Sequence, residues 1–532
     1  MENKKIMKIS EGAYGTVYLL DNNLALKDYK KSMIDGNNRK LLDPSILREL
    51  SSIQYLNHKD IIKPINIYVN ESKTNINFTM KYHQITLHKY LEFIDTIKVK
   101  EIMYKLLKII NYCHSNFIVH RDLKLNNILL EIDNESNYTP ILIDFGLAKF
   151  DFFYDDYTNQ IKSLISLNEE IQTLWYRSPE VILNQKFVNY KMDIWSLGII
   201  FLDLINNEMG LISADKTKDQ LHRYLENLNY NNNFDLLNNY LKKNNFELNK
   251  KNIFEYDKLK KFDKNGIDLL KKMLNFDPEE RITSLEALQH PYFKDFLKKE
   301  EEKEEIIKNN FFYNLDNLKD NNIDLDKLDK IDYSRCDIIK YFKDLKINVI
   351  IYEWLFYLVD SFVTNNDNNV SNPSNFLSFY TIRELFIFCF YLFIKFLTGD
   401  NYRFKDVYYF FNKTHPSLSE TLYYSRFEIV FLGIFDFNIL IKTPGLILYK
   451  YYTYLYRSGT INIEKLEEVF IDVRKLLEVY ISDKENYKYK TTEIYSSIGK
   501  IINEKFNLNT THDYLNILND PNNEFIVKLN FN

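Results

Sequence analysis

The sequence predicts an α+β fold over residues 1–295 and an all-α fold over most of the remaining chain. Three observations carry this. In the first third, short β-like runs alternate with helical patterns: "VYLL" from Val17, "LALKDY" from Leu24 and "ILIDFG" from Ile141. The stretch "KKEEEKEE" at Lys298–Glu305 has no apolar face and reads as a solvated linker, here taken as residues 296–330. Beyond it, long apolar helical patterns are separated by polar patches such as "TNNDNNVSNPSN" at Thr364–Asn375.

The bulk numbers agree with a multidomain chain. At 532 residues it exceeds one ordinary core, so two or three domains are expected. Aromatics make up 16% while only 12 glycines and 10 prolines interrupt the chain, which favours long helices around large cores. A net charge of −5 gives no reason to expect nucleic-acid binding. Cys113, Cys336 and Cys389 are far apart, form no metal spacing and read as buried thiols in a reducing compartment. The N-terminal "MENKKIMKIS" has no apolar core of a secretory signal. No run reaches the roughly 18 uninterrupted apolar residues of a membrane span, so no membrane partner is expected. The expected location is intracellular, cytoplasmic or nuclear.

The chemistry is concentrated in the first part. Phosphoryl transfer needs a carboxylate to orient the attacking hydroxyl, and Asp122 in "HRDLKLNN" fills that role. Asn127 stands at the spacing of an oxygen ligand for Mg2+, and Lys124 between them is placed to neutralise the moving phosphoryl group. Downstream, "DFG" at Asp144–Gly146 follows an apolar strand, and Asp144 would hold magnesium between phosphates. Upstream, Lys27 in "LALK" fits a strand lysine gripping those phosphates, and Glu49 in "ILREL" a helix carboxylate pairing with it.

This set, together with "SPE" at Ser178–Glu180, "DIWSLG" at Asp193–Gly198 and "RITSLEALQHPYF" at Arg281–Phe293, resembles the eukaryotic protein kinases. The resemblance implies a bilobal kinase fold, ATP and Mg2+ as cofactors, protein substrates and serine/threonine specificity, Thr173 being the residue typical of that class. It places Glu180 and Arg281 in a buried structural ion pair. It also implies a nucleotide site from Ser10, Gly12, Gly15, Val17, Ala25, Lys27, Glu49, Met80, Lys81, His83 and Leu129, with Met80 as gatekeeper and Lys81–His83 as the hinge meeting adenine. Ser10 stands where the family has the first glycine of its phosphate-covering loop.

"DPSILRELSSIQYLNHKDIIKP", "YCHSNFIVHRDLKLNN" and "TLWYRSPEVIL" are similar to the cyclin-dependent kinases, in which a separate partner pushes the Glu49-bearing helix inward. The loop Lys149–Gln172 is longer than usual, and Asn168 aligns with the family's phosphorylated threonine. Arg48, Arg121 and Lys149 match the basic residues that clasp that phosphate; either Glu169, Glu170 or a phosphorylated Ser166 supplies an anion among them, or the three cations simply face water. Arg177 matches the proline-directed branch, while Gln172 replaces a small apolar residue.

In the helical part, Thr381 and Glu384 form a T-x-x-E capping box, so a helix should begin at about Ile382 and stop at Gly399. Its residues are apolar on every face, as at the centre of a bundle. With "YLVDSFV" at Tyr357–Val363 and the stretch Lys395–Pro444, residues 331–445 resemble a cyclin box. Lys395 and Glu428 then match the lysine and glutamate that lie together on the kinase-gripping surface. A second, divergent helical region, cyclin-like in outline, covers 446–532. The resulting expectation is a kinase fused to its own activator, docked intramolecularly through Lys395 and Glu428. The rival is a scaffold whose helical region captures a separate kinase or regulator.

Overall fold

The alternating runs after Gly15 and Leu24 become strands of one antiparallel sheet in a computed structural model of the chain. The structure describes residues 5–12, 15–29, 43–69, 76–133, 137–150, 172–183, 190–228, 230, 234–244, 251–296, 335, 338–340, 349–365, 382–398, 407–408, 412, 428, 431–432, 435, 443–457, 460–482, 486 and 491–508. The chain divides into two units, the first chiefly of residues up to Phe311 and the second chiefly of those from Phe312.

In the first unit, β1 (Lys5–Glu11), β2 (Gly15–Leu20), β3 (Leu24–Tyr29), β4 (Asn66–Val69) and β5 (Ile76–Lys81) form a sheet in the order β1-β2-β3-β5-β4. The β2–β3 turn uses Asn23 at a φ of 60°, a left-handed position that asparagine tolerates. Register sets Val17 opposite Lys27, and Ala25 opposite Met80. Helix α1 (Pro44–Tyr55) starts at Asp43, whose carboxylate accepts the Ser45 N–H at 2.8 Å, with Pro44 in the first turn. At its other end Lys63 donates to the Ile53 carbonyl at 2.6 Å.

Below the sheet the first unit is helical. The Lys191–Asn206 helix is apolar nearly all round, and Ile194, Trp195, Leu197, Phe201 and Leu204 are inaccessible to solvent. The Thr96–Ser115 helix, capped by Asp95, flanks it. Arg281 meets Glu180 through two parallel bonds of 2.8 Å inside this lobe, as the sequence resemblance implied. The sheet-rich lobe and helical lobe together make the expected α+β bilobal arrangement.

In the second unit the described residues form the helices Val349–Asn365, Ile382–Thr398, Pro444–Arg457, Ile463–Ser482 and Thr491–Phe506. The second of these begins at the expected Ile382 and ends at Thr398. The cap Thr381 and the stop Gly399 lie outside the described residues. An aromatic core joins the first two helices, with Trp354 and Phe393 ring centroids 4.3 Å apart and Phe356 and Phe386 4.8 Å apart. Among the described residues no helix is long and apolar enough to cross a membrane.

Candidate active site

Three charged groups converge under the sheet. Strand alternation brings Lys27 to the face of β3 that meets α1, and its ammonium donates to both oxygens of Glu49 at 2.6 Å. The same nitrogen reaches Asp144 Oδ1 at 3.2 Å. Asp144 is held at a φ of 65°, which costs an L-residue about 1 kcal/mol. Burial alone would lower the Lys27 pKa, but Asp144 and Glu49 outweigh it and raise it above the usual lysine range. Burial pushes Asp144 up, yet the ammoniums of Lys27 and Lys124 overcome it and hold the carboxylate ionised below its ordinary value. Burial wins only at Glu49, whose pKa rises despite Lys27.

The second cluster is the loop from His120. Its backbone is fixed from beneath: buried Asp193 accepts the N–H groups of His120 at 2.8 Å and Arg121 at 2.9 Å, and Arg121 takes a φ of 64°. Asp122 is thereby presented with both oxygens engaged. Oδ1 accepts the Thr173 hydroxyl at 2.7 Å, and Oδ2 accepts Lys124 at 2.7 Å and the Asn127 amide at 3.0 Å. The Asn127 nitrogen is spent on Asp122, so its side-chain oxygen is the atom that could serve as a hard ligand. Asn127 and Asp144 together offer oxygen ligands of the kind Mg2+ prefers when phosphates supply the rest. Among the described residues no group of three or more His, Cys, Asp or Glu side chains is arranged to hold a metal by itself. His120 links the clusters, its Nε2 lying 3.0 Å from the Ile143 carbonyl beside Asp144.

The other residues expected at a nucleotide site lie on or beside adjoining strands. Ser10 sits in paired backbone opposite Val17, so nothing at this position demands glycine. Gly15 is different: a Cβ there would lie 2.7 Å from the Asp28 carbonyl, so β2 and β3 approach too closely for a side chain. Gly12 closes the loop through a 2.9 Å bond to the Gly15 carbonyl. Ala25 is buried opposite Met80 at the end of β5, and Leu129 is half-buried on the Ile128–Ile132 strand. Lys81 pairs with Glu131 at 2.5 Å across the hinge, and half-buried His83 comes two residues later, its pKa lowered by burial.

Some features carry no clear sequence signal. Tyr29 donates to Glu49 at 2.8 Å, a contact hinted at only by residues 27 and 29 sharing a strand face. Gln172 adopts a φ of 63°, with its carbonyl accepting from Arg177 at 3.0 Å. Arg48 and Arg121 donate to the carbonyls of Gly146 and Leu147, at 2.8 and 2.7 Å. Ser166, Asn168, Glu169 and Glu170 lie outside the described residues. In the helical unit, Lys395 and Glu428 are brought together at 2.6 Å, exposed by only 2% and 1%. A second buried pair, Arg335 with Asp360, has no counterpart among the sequence expectations.

Comparison with known proteins covers the unit that carries this site. The protein kinase domain family matches residues 3–293. Cyclin-dependent kinase E-1 of Arabidopsis thaliana is 30% identical over 318 aligned residues, which span 54% of this chain and 65% of that relative's length. The match to the family model takes in more than half of the chain, and the chain belongs to the protein kinase family.

Proposed function

We propose that this chain is an ATP- and Mg2+-dependent serine/threonine kinase of the cyclin-dependent type, activated by its own cyclin-like region. The observation that carries the catalytic part is the assembled Lys27–Glu49–Asp144 contact beside an oriented Asp122. An inert scaffold would be expected to lack one of these groups. Asp122 orients the substrate hydroxyl and receives its proton as the new O–P bond forms and the bond to ADP breaks. Lys124 balances the charge on the transferring group, and Lys27, aimed by Glu49, fixes the phosphates. Asn127 and Asp144 would hold the magnesium, which supplies charge neutralisation at the phosphates.

The activating part rests on residues 331–445 resembling a cyclin box and on the Lys395–Glu428 pair. In this reading residues 1–295 are the kinase domain, 296–330 the linker and 446–532 a second helical region. Lys395 and Glu428 face the Glu49-bearing helix, and the linker makes docking intramolecular at an effective concentration of order mM.

Arg177 favours proline after the target residue. With the Gln172 carbonyl taken by Arg177, a following N–H would find no acceptor there, and proline has none to lose.

The test is phosphorylation of Ser-Pro and Ser-Ala peptides by the full chain without added cyclin, beside its Asp144→Asn variant. Activity in the variant would sink the catalytic assignment. A need for added cyclin would remove activation in cis, and equal use of both peptides would remove the proline preference.

A further inference from the structure

We infer that Tyr29 is a positioning residue for phosphoryl transfer, its hydroxyl fixing the Glu49 carboxylate that orients Lys27; the inference rests on the kinase reading above. Residues 27 and 29 lie two apart on β3, so their side chains leave the same face about 7 Å apart along the strand. Tyr29 is 2% exposed, its ring lies 6.1 Å from that of Phe78, and the Lys27 nitrogen stands 5.4 Å from the Tyr29 centroid. The hydroxyl donates to Glu49 Oε2 at 2.8 Å, an oxygen that also accepts Lys27 at 2.6 Å.

A buried tyrosine needs an acceptor, and a nearby backbone carbonyl would serve. Here the acceptor is instead the carboxylate at the centre of the site, and that choice has a consequence for Lys27. An ammonium has three N–H groups. Lys27 directs bonds to two oxygens of Glu49 and one of Asp144, so reaching a phosphate means releasing one of them. When it does, Tyr29 still donates to Glu49, and α1 keeps its hold on β3. With phenylalanine at 29, the buried carboxylate depends more heavily on Lys27, which is then held back from the phosphate.

The variant Tyr29→Phe keeps the ring against Phe78 and removes only the donor. A hydrogen bond to a charged group of this kind corresponds to roughly a tenfold to hundredfold effect. In the full-length chain we expect the Kd for a fluorescent ATP analogue with Mg2+ to rise about tenfold in this variant. The kcat/KM for ATP should fall by a similar factor, while the KM for peptide stays put. In a Glu49→Gln background the same substitution should have a smaller effect, because the carboxylate charge that the hydroxyl fixes is gone. Equal nucleotide affinity and kcat/KM in Tyr29→Phe and the natural chain would overturn the inference, as would an undiminished effect in the Glu49→Gln background. A natural chain that binds nucleotide but transfers no phosphate overturns the kinase reading alone, and the Kd comparison still decides the role of Tyr29. A chain that binds no nucleotide overturns both.

Discussion

Both carboxylate oxygens of Glu353 accept the backbone N–H of Gly445, at 3.1 and 3.2 Å, and Oε2 also accepts the Thr443 hydroxyl at 2.8 Å. A side chain from one helix thereby caps the N-terminus of another, the Pro444–Arg457 helix. The contact leaves no room at residue 445, where a Cβ would sit 2.3 Å from Glu353 Oε2 and 2.8 Å from Leu477 Cδ1. Glycine to alanine inside a helix ordinarily stabilises by up to about 1 kcal/mol. Overpacking of this kind costs about 1–3 kcal/mol and should win. Gly445→Ala is expected to lower the stability of the helical unit in denaturant titration; a gain would mean the cap is not formed.

Glu353 also makes stability depend on pH. Burial raises its pKa to about 8, against the bonds from Thr443 and Gly445, which lower it. The folded chain therefore keeps a proton that the unfolded chain, with an ordinary value near 4.5, releases. The stabilisation is full below the unfolded value and is lost as pH rises toward 8, at no more than about 1.4 kcal/mol per unit. Thermal unfolding of the natural chain should fall between pH 6 and 8.5 more steeply than that of Glu353→Gln. Parallel curves would show that Glu353 folds in its charged form.

Arg281 predicts a large loss of stability on substitution. Its guanidinium is buried, engages Glu180 bidentately and also donates to the carbonyls of Asn275 at 2.9 Å and Lys191 at 3.0 Å. Arg281→Met leaves Glu180 as an unpaired buried charge and should cost about 3–5 kcal/mol. Adding Glu180→Leu removes that charge but not the two orphaned carbonyls, so the double variant should recover only part of the loss. Full recovery in equilibrium unfolding would mean the carbonyl bonds contribute little.

The legibility of this molecule depends on the range of its interactions. Asp122, Asn127, Asp144 and Lys27 could be read from the sequence because their chemistry fixes both residue type and spacing. The Ile382–Thr398 helix could be read because an apolar run and its cap are local signals. Tyr29 could not, since an aromatic residue in a strand is what β propensity alone would place there. Gln172 reads only as a polar replacement for a small apolar residue. Its left-handed backbone accompanies bonds from its amide to Ser196 at 2.8 Å and from Ser178 at 2.9 Å, partners fixed only by tertiary structure. Arg335 and Asp360 are separated by 25 residues with no period linking them, so their pairing emerges only in the fold.

Lys395 and Glu428 separate a structural role from a docking role. Their 2.6 Å contact is almost wholly buried, and Glu428 Oε2 has no hydrogen-bond partner among the described residues. A buried pair with one unsatisfied oxygen contributes little net stability, yet removing one member leaves a buried charge alone. Lys395→Met should therefore destabilise the helical unit by about 3–5 kcal/mol. The double variant Lys395→Met/Glu428→Leu, apolar at both places, should return close to the natural stability or exceed it. Kinase activity of that double variant is then the deciding measurement, because stability no longer confounds it. If the pair faces the Glu49-bearing helix as proposed, activity without added cyclin stays at least about tenfold low, the effect of losing one charge-assisted bond. Natural activity in the stable double variant would confine Lys395 and Glu428 to the interior of their own unit and remove them from docking.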